Sequence, residues 1–468
     1  MKGTWARIAV CALLLGGCTA DKTPDGGDDG PTFTPGSQGI GDDYFPTYGN
    51  GGYDVAGYDL NLRYDPKSGE LSGTATITAT ATQDLSRFDL DFAHLSASGV
   101  TVDGAVATTD QQGAELVVTP PLGIVRGKPF TVVVTYAGEP TTLDNRSLGE
   151  GGWLRTNDGG FALGQPESAS TWFPVNDHPA DKATFKLAMA VPDGLEVISN
   201  GVPGPRASAA GWTTWRWAEA SPMASYLTTV VIGHYRVRSS THAGKPMIIA
   251  LPDSLPATGA AARSVDRTGE IADFLSTYFG PYPFDAYGAI VIDDPRISYA
   301  LETQTRPTYG SSFFSTEQNP TVVAHELAHQ WFGDSVALER WQDIWLNEGF
   351  ATYAEWLWEE HAGGRSVQQS FDRIYSGFNW SSAPGNPGAA KIFGDAVYQR
   401  GAMTVQALRV AIGDPAFFAL LKSWPAEHKD GNATTDDFIA AAEKAAGGKD
   451  LGPLFQAWLF GTTKPPKP

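Results

Sequence analysis

Cysteine is nearly absent from this sequence, whose 468 residues contain only Cys11 and Cys18. If the amino-terminal segment that holds both is removed, the folded part has no disulfide and its stability must come from packing. Positive charge is also scarce, since 33 Lys and Arg face 52 Asp and Glu, for a formal net charge of −19. This balance argues against nucleic acid as a partner. No apolar run is long enough to span a bilayer as a mature helix.

The amino-terminal segment has the pattern of an export signal. Lys2 and Arg7 supply positive charge, and Ile8–Leu15 is a short apolar run. The run ends in a Leu-Gly-Gly-Cys box at Cys18, which resembles a bacterial lipoprotein cleavage site. We therefore assign residues 1–18 to a lipoprotein signal and expect a lipid on Cys18 that holds the protein at the outer face of the cell membrane. The alternative is an ordinary secretion signal, cleaved nearby to release the protein.

Composition divides the rest of the chain, whose 42% hydrophobic residues suffice for large cores. Residues 19–43 are rich in Gly, Asp, Pro and Thr, which predicts a disordered acidic linker. Residues 44–240 alternate apolar and polar positions, which predicts a large antiparallel β domain. Residues 241–460 are expected to be mostly helical and 461–468 a polar tail, so the predicted fold class is α+β. Individual elements include a strand at Tyr226–Arg238, a helix at Ala261–Phe279 and a buried strand at Ala289–Asp293.

One stretch of the helical region carries the residues of a metal site, His-Glu-x-x-His. Pro320 suits the first turn of a helix there, and Gly333 suits its end. At 3.6 residues per turn His325 and His329 project from one face, which lets two imidazoles bind one Zn²⁺ at about 2.0–2.1 Å. Glu326 points about 100° around the helix, where a carboxylate can take a proton from water on the metal.

A chance match on an ordinary core helix is the alternative to a metal site. Only 8 His occur in 468 residues, so a random His-Glu-x-x-His is expected in roughly one such chain in a hundred. A third ligand is available at Glu348, which opens another helical run. Two His and one Glu leave the fourth tetrahedral position for water, the arrangement of catalytic zinc. The sequence therefore predicts one catalytic Zn²⁺ per chain.

The residues around these ligands resemble the aminopeptidase N family of zinc peptidases. The resemblance extends from about Asp54 to Phe460, and its most specific segments are His325–His329, Trp331–Asp334 and Asn347–Ala351. It implies that His325, His329 and Glu348 are zinc ligands and that Glu326 is the general base. It also implies a saddle-like, antiparallel amino-terminal β domain followed by a thermolysin-like, mostly helical catalytic domain.

Two further segments match motifs that this family uses to bind the substrate amine. The segment Tyr-Ala-Leu-Glu-Thr at 299–303 lies where the family has Gly-x-Met-Glu-Asn, which implies that Glu302 binds the α-ammonium group. The same segment, with Ala300, is expected to pair with the substrate as an added edge strand. Gln165-Pro166-Glu167 resembles the family's Gln-x-Glu and implies Glu167 as a second carboxylate, with Gln165 beside it. From the residues alone, a solvated charge at a strand end is the favoured interpretation of Glu302, and it is the resemblance that reverses this.

A last motif concerns the transition state. The segment Val397–Gly401 resembles the family's Tyr-x-Lys-Gly, with Arg400 in place of Lys, and implies that the Tyr398 phenol stabilises the oxyanion. On spacing alone, a helical Tyr is usually a core residue. Glu355 fits either a partner of a ligand His or a solvated helix charge. His178, where the family carries Glu, is expected to be structural.

These features together predict a zinc-dependent aminopeptidase acting on peptides with a free N-terminus. A zinc endopeptidase with unused amine carboxylates, and a surface binding protein with an idle site, are the alternatives. Family members often carry a large C-terminal helical domain that covers the site, whereas only Gly401–Pro468 follow the tyrosine motif. We therefore expect two domains, zinc in an open cleft between them, and trimming of long peptides about as readily as tripeptides.

Overall fold

The computed structural model describes residues 31–145 and 148–468, and the stretch Phe33–Pro468 forms one compact unit. The predicted signal at 1–18, including Cys18, lies outside the described residues, as do residues 19–30 of the predicted linker. In the part of the chain that is described, no helix is both long and apolar enough to cross a membrane.

A nine-stranded sheet dominates the amino-terminal half. Alternating side chains of its strands are buried, as in Tyr53–Asp65, so one face packs against the core while the other meets solvent. Neighbouring strands are antiparallel, except that Lys182–Pro192 runs parallel to Tyr53–Asp65. In spatial order the strands are Val202–Pro203, Trp212–Ala224, Lys182–Pro192, Tyr53–Asp65, Glu70–Ala81, Pro129–Gly138, Ser96–Val102 and Ala105–Val106, with Ala207–Ala209 beside Trp212–Ala224.

Two smaller sheets complete this half. One contains, in spatial order, Thr34–Pro35, Leu85–Asp91, Glu115–Thr119 and Thr108–Gln112. The other contains Thr142–Asn145, Gly149–Arg155, Gly160–Leu163, Val230–Gly233 and Glu196–Ser199. The expected strand Tyr226–Arg238 was therefore wrong in its extent. Its first residues form a 3₁₀ turn, Ser225–Leu227, and the rest divides between strands of two different sheets, Val230–Gly233 and Tyr235–His242.

The predicted linker boundary at residue 43 was also wrong, because the chain is ordered on the β sheets from residue 34 onward. Thr34–Pro35 pairs with Leu85–Asp91. Asp42 is buried and accepts a hydrogen bond from the Trp341 N–H at 2.8 Å. The Nε2 atom of His178 lies 3.3 Å from the Asp42 carboxylate. Backbone pairing and one buried carboxylate hold this segment in place. Neither interaction requires large apolar residues, whose scarcity was the reason for predicting a linker.

The carboxyl-terminal half begins with a mixed sheet and continues as helices. The sheet order is Tyr235–His242, Lys245–Pro252, Tyr287–Ile292, Thr308–Gly310 and Ala300–Leu301, which places Ala300–Leu301 at an edge. The single helix expected at 261–279 is two helices. The Thr268 hydroxyl donates to the Val265 carbonyl at 2.7 Å and closes the first helix before the second begins.

Nine α-helices lie within the described residues, and two π-helical turns, Ala396–Arg400 and Gln456–Phe460, adjoin the later ones. Helix α4 (Trp345–His361) packs against both α3 (Pro320–Ala328) and α6 (Gly401–Ile412) in the core of this half. The observed order confirms the predicted α+β class, with a β-rich half followed by a helical one. The helices are α1 Ala260–Val265, α2 Thr268–Phe279, α3 Pro320–Ala328, α4 Trp345–His361, α5 Val367–Gly377, α6 Gly401–Ile412, α7 Asp414–Glu427, α8 Thr435–Ala445 and α9 Gly452–Phe455. A short strand pair, Ala337–Leu338 with Asn432–Ala433, links them.

Candidate active site

Helix α3 places the His-Glu-x-x-His motif. Its first residue is Pro320, and the side chain of the preceding Asn319 caps it by accepting a hydrogen bond from the Val322 N–H at 3.2 Å. The helix ends at Ala328, earlier than the predicted end at Gly333. The side chains of Val323 and Leu327 are buried in the core, so the opposite face presents the motif to a cavity.

Helix α4 brings the third candidate ligand, Glu348, to the two histidines. It approaches the Tyr398 segment closely at one pair of glycines: a Cβ built on Gly349 would lie 2.9 Å from the carbonyl carbon of Gly401. Any side chain there would push the two segments apart. Glycine next to Glu348 therefore lets the carboxylate lie beside both helix α3 and the tyrosine segment.

The geometry of His325, His329 and Glu348 fits a tetrahedral zinc ion. One Glu348 carboxylate oxygen lies 3.3 Å from His325 Nε2 and 3.4 Å from His329 Nε2. Ligand bonds of about 2.0–2.1 Å at a tetrahedral centre place neighbouring ligand atoms about 3.3–3.4 Å apart. All three side chains are buried, and three candidate ligand atoms lie within 4.8 Å of one another. The donor set and its spacing thus suit Zn²⁺.

The other nitrogen of each imidazole is held by a partner. His329 Nδ1 lies 3.0 Å from the Phe332 carbonyl oxygen, which can only accept, so Nδ1 carries a proton. The other ring nitrogen, Nε2, points toward Glu348 and is the atom available to a metal. His325 Nδ1 lies 2.6 Å from a carboxylate oxygen of Glu355. Such outer partners fix the tautomer and the ring orientation that a metal ligand needs. Of the two interpretations of Glu355, the structure thus favours the partner of a ligand His.

Two further carboxylates, Glu302 and Glu326, face the same centre. Ligand atoms of Glu302, Glu326 and His329 lie within 4.8 Å of one another. Burial raises the pKa of Glu326 to about 8, and His325 and His329 oppose that rise. A cation held by the neighbouring ligands favours the carboxylate form in the same way. Glu326 can therefore exchange a proton near neutral pH.

Glu302 is oriented by residues from the amino-terminal half. The Tyr226 hydroxyl donates to its carboxylate at 2.8 Å, and the Gln165 side-chain amide donates to the same oxygen at 3.3 Å. Burial raises the pKa of Glu302, which His329 opposes. The sequence did not point to Tyr226. This residue was expected inside a strand and is far from Glu302 along the chain, so no local pattern indicates that the two side chains meet.

Tyr398 comes from the π-helical turn Ala396–Arg400. Its ring lies 6.0 Å from that of His325, centroid to centroid, and nearly parallel to it. Burial raises the pKa of the phenol well above its usual value, and the nearby carboxylates of Glu348 and Glu302 add to this. The side chain therefore stays a neutral O–H donor across the physiological pH range.

A cavity of about 380 Å³ connects these groups. Ala300 of the edge strand and the preceding Tyr299 line it beside the candidate ligands. Apolar walls come from Leu148, Phe313 and Val322, which the sequence did not single out. An edge strand next to a cavity offers unpaired backbone groups to an extended peptide.

Of the predicted site residues that lie in the described part of the chain, Glu167 is the one that does not line this cavity. Its side chain is hydrogen-bonded to Tyr48 and lies near Asp177, and burial together with Asp177 raises its pKa to about 8. The backbone bends at Gln165 and Pro166, so the usual same-face relation of residues two apart does not hold. Gln165 therefore faces Glu302 while Glu167 faces another part of the β half.

Comparison with known proteins identifies the family of this chain. Residues 55–227 match the Peptidase M1 N-terminal domain, and residues 263–458 match the Peptidase family M1 domain. A crystal structure of an M1 zinc metallopeptidase from Deinococcus radiodurans is 30% identical and has a TM-score of 0.83, over 92% of this chain and 98% of that one. A mutant of that enzyme has been solved bound to a Tyr-Ser-Ala substrate, with a TM-score of 0.84.

Longer relatives are similar over the same region. Aminopeptidase M1 of Arabidopsis thaliana is 27% identical over 86% of this chain and 49% of its own length. Human endoplasmic reticulum aminopeptidase 1 is 28% identical over 81% of this chain and 44% of its own length. The chain thus spans about half the length of the curated relatives it matches. With both domain matches and the 30% identity to the Deinococcus enzyme, this chain belongs to the M1 family of zinc metallopeptidases.

Proposed function

We propose that this chain is a zinc-dependent aminopeptidase that removes single residues from the free N-terminus of peptides. The observation that carries the proposal is the position of Glu302. Its buried carboxylate lies within 4.8 Å of the candidate ligand atoms of Glu326 and His329, at the end of the edge strand Ala300–Leu301. A carboxylate fixed this close to the reacting centre binds a substrate ammonium group and so measures one residue from the N-terminus.

We propose that His325, His329 and Glu348 hold the zinc ion. Bound Zn²⁺ polarises the scissile carbonyl and lowers the pKa of water in the site. Glu326 takes a proton from the attacking water and then delivers it to the leaving amine. The Tyr398 phenol donates a hydrogen bond to the oxygen on which negative charge develops.

The edge strand and the β half bind the substrate in this proposal. The backbone of Ala300 pairs with the peptide, and Glu302 accepts hydrogen bonds from its α-ammonium group while Tyr226 and Gln165 orient the carboxylate. The substrate-bound structure of the Deinococcus enzyme supports a peptide substrate. The names of the longer relatives support aminopeptidase activity.

The proposal is tested by comparing each aminoacyl amide with its N-acetylated form for wild type and Glu302→Gln. Loss of a hydrogen bond to a charged group costs about 1.5–3 kcal/mol, so kcat/KM on the free-amine substrate should fall about 10- to 100-fold. The exposed Glu317, changed to Gln, is the matched control and should behave as wild type. Equal cleavage of free and acetylated substrates by wild type would instead favour an endopeptidase.

We also propose that Cys18 carries lipid and holds the enzyme at the outer face of a membrane. The apolar run Ile8–Leu15 and the Leu-Gly-Gly-Cys box support this, and two acyl chains anchor stably where one does not. Cys18→Ala should release the enzyme from membranes, whereas Cys11→Ala, within the same segment, should not. Unchanged membrane retention of Cys18→Ala would contradict the lipid anchor.

A further inference from the structure

We propose that Arg400 is a positioning residue whose guanidinium fixes Tyr398 for catalysis. Arg400 follows Tyr398 by two residues in the same π-helical turn, and its side chain is 0% exposed. A π-helical turn is a rare local distortion that is common at functional sites. The inference rests on the role proposed above for the Tyr398 phenol.

All N–H donors of the Arg400 guanidinium are used in hydrogen bonds to the main chain. It makes five hydrogen bonds, and every acceptor is a backbone carbonyl rather than a carboxylate. Burial lowers the pKa of Arg400 only to about 10, so the group stays charged at neutral pH. The acceptors are Trp458 at 2.8 Å from Nε, Ser382 at 2.8 Å and Trp380 at 3.3 Å from Nη1, and Gly461 at 2.6 Å and Ala457 at 3.0 Å from Nη2.

These acceptors belong to two segments that do not line the active-site cavity. Three come from the second π-helical turn, Gln456–Phe460, and the glycine that follows it. Two come from the loop that precedes the Tyr398 turn. The carbonyls at the end of a helix carry partial negative charge, which suits a buried cation. Arg400 therefore ties the Tyr398 turn to the second π-helical turn and to the loop that precedes the Tyr398 turn.

The Tyr398 turn is also held from the side of the metal ligands. Gly401 approaches Gly349 so closely that a Cβ on Gly401 would lie 2.9 Å from the Gly349 Cα. Gly349 is adjacent to Glu348. The contact between Gly401 and Gly349 thus sets the distance between the Tyr398 turn and helix α4. The Arg400 guanidinium prevents the turn from rotating or sliding along that contact. The position of the phenol relative to the zinc site depends on both.

Lysine cannot reproduce this arrangement, although the aminopeptidase N motif carries Lys at this place. An ammonium group has three donors on a single nitrogen, whereas the guanidinium has five in a planar fork. Arg400→Lys preserves the charge but leaves at least two of the five carbonyls without their donor. The expected effect is a shift of Tyr398 by a fraction of an ångström, and a misplacement of about 1 Å can cost about 10²-fold in rate.

The experiment is a double-mutant cycle on the full chain, combining Arg400→Lys with Tyr398→Phe. Arg400→Lys alone should lower kcat about 10- to 100-fold, with KM within about twofold and zinc content unchanged. In the Tyr398→Phe background, the same substitution should change kcat less than about twofold, because the group it positions is gone. Arg409→Lys is the matched control on helix α6, where the guanidinium pairs with Asp414 at 2.8 Å, and it should leave kcat unchanged.

Equal losses of kcat from Arg400→Lys in both backgrounds would overturn the proposal, since the effect would then be independent of Tyr398. Normal turnover by Tyr398→Phe alone would show that the oxyanion role proposed for Tyr398 is wrong. That outcome is distinguishable from equal losses of kcat in both backgrounds. Arg400→Gln, whose amide has two donors, is made alongside in case Arg400→Lys does not fold. Loss of folding by both variants would show that Arg400 serves the whole fold rather than the phenol and would also overturn the proposal.

Discussion

Replacing Glu355 with Gln should weaken zinc binding without removing a ligand. The carboxylate of Glu355 lies 2.6 Å from His325 Nδ1, so it both orients the ring and increases the electron density that its Nε2 offers to the metal. Gln keeps an oxygen acceptor at nearly the same place but loses the charge. The substitution therefore tests the electrostatic part of the contact while it disturbs the packing little.

The size of the effect follows from the contact and its exposure. Removing an outer partner of a metal ligand typically costs about 10–100-fold in affinity, which corresponds to about 1.4–2.7 kcal/mol. The Glu355 side chain is 29% exposed, so water screens part of its charge and the lower end of that range applies. We expect zinc affinity to fall about 10- to 30-fold. His329 should be unaffected, because its partner is the Phe332 backbone carbonyl.

The assay is competition for zinc between the protein and a chelator at fixed pH, with retained metal measured at equilibrium. Glu359→Gln is the matched control, since Glu359 lies one turn further along α4, pairs with Arg365 at 2.8 Å and is 26% exposed. That variant should retain zinc as wild type does. If Glu355→Gln and Glu359→Gln retained zinc equally, Glu355 would be a solvated helix charge and the assignment of its role would be refuted.

Two other predictions concern the base and the β half. Glu326→Gln should keep about one zinc per chain and lower kcat about 10²–10⁴-fold; near-normal turnover would place the base elsewhere. Burial raises the pKa of Asp181 to about 8, so the folded protein holds a proton there that the unfolded chain releases above about pH 4. The free energy of unfolding should therefore fall as pH rises from about 4 to about 8, and Asp181→Asn should lessen that slope by up to about 1.4 kcal/mol per pH unit in urea titrations. An unchanged slope would mean that Asp181 titrates alike in both states.

The fold could be predicted where one local pattern decides it. Apolar residues alternate with polar ones from Tyr58 to Tyr64, which lie in one strand, and the helix that contains His325 begins at Pro320 as expected. Prediction was wrong where tertiary contacts decide. The break between α1 and α2 is stabilised by a hydrogen bond from the Thr268 hydroxyl. The segment around Asp42 is held by partners more than a hundred residues away along the chain.

The site could be predicted to a similar extent and for the same reason. Two ligands and the base lie within five consecutive residues, on α3 and the helically oriented residue that follows it, so their geometry follows from helical spacing. The direction of Glu167 follows from a bend that its neighbours do not reveal, and the contact of Tyr226 with Glu302 joins two distant segments. Arg400 looks like a conservative replacement in the sequence, and only its five carbonyl acceptors show what it holds.

These contacts show which half of the chain forms each part of the site. The candidate metal ligands and the base come from α3, α4 and the residue that follows α3, so the zinc site is assembled within the carboxyl-terminal half alone. The proposed amine site is not, because the Glu302 carboxylate takes its orientation from Tyr226 and Gln165 of the other half. Any shift between the halves would thus move those two donors away from Glu302 while leaving the ligand spacing of 3.3–3.4 Å intact. Zinc affinity and the proposed recognition of the substrate N-terminus should therefore be separable, and only the second should depend on how the β half packs against the helices.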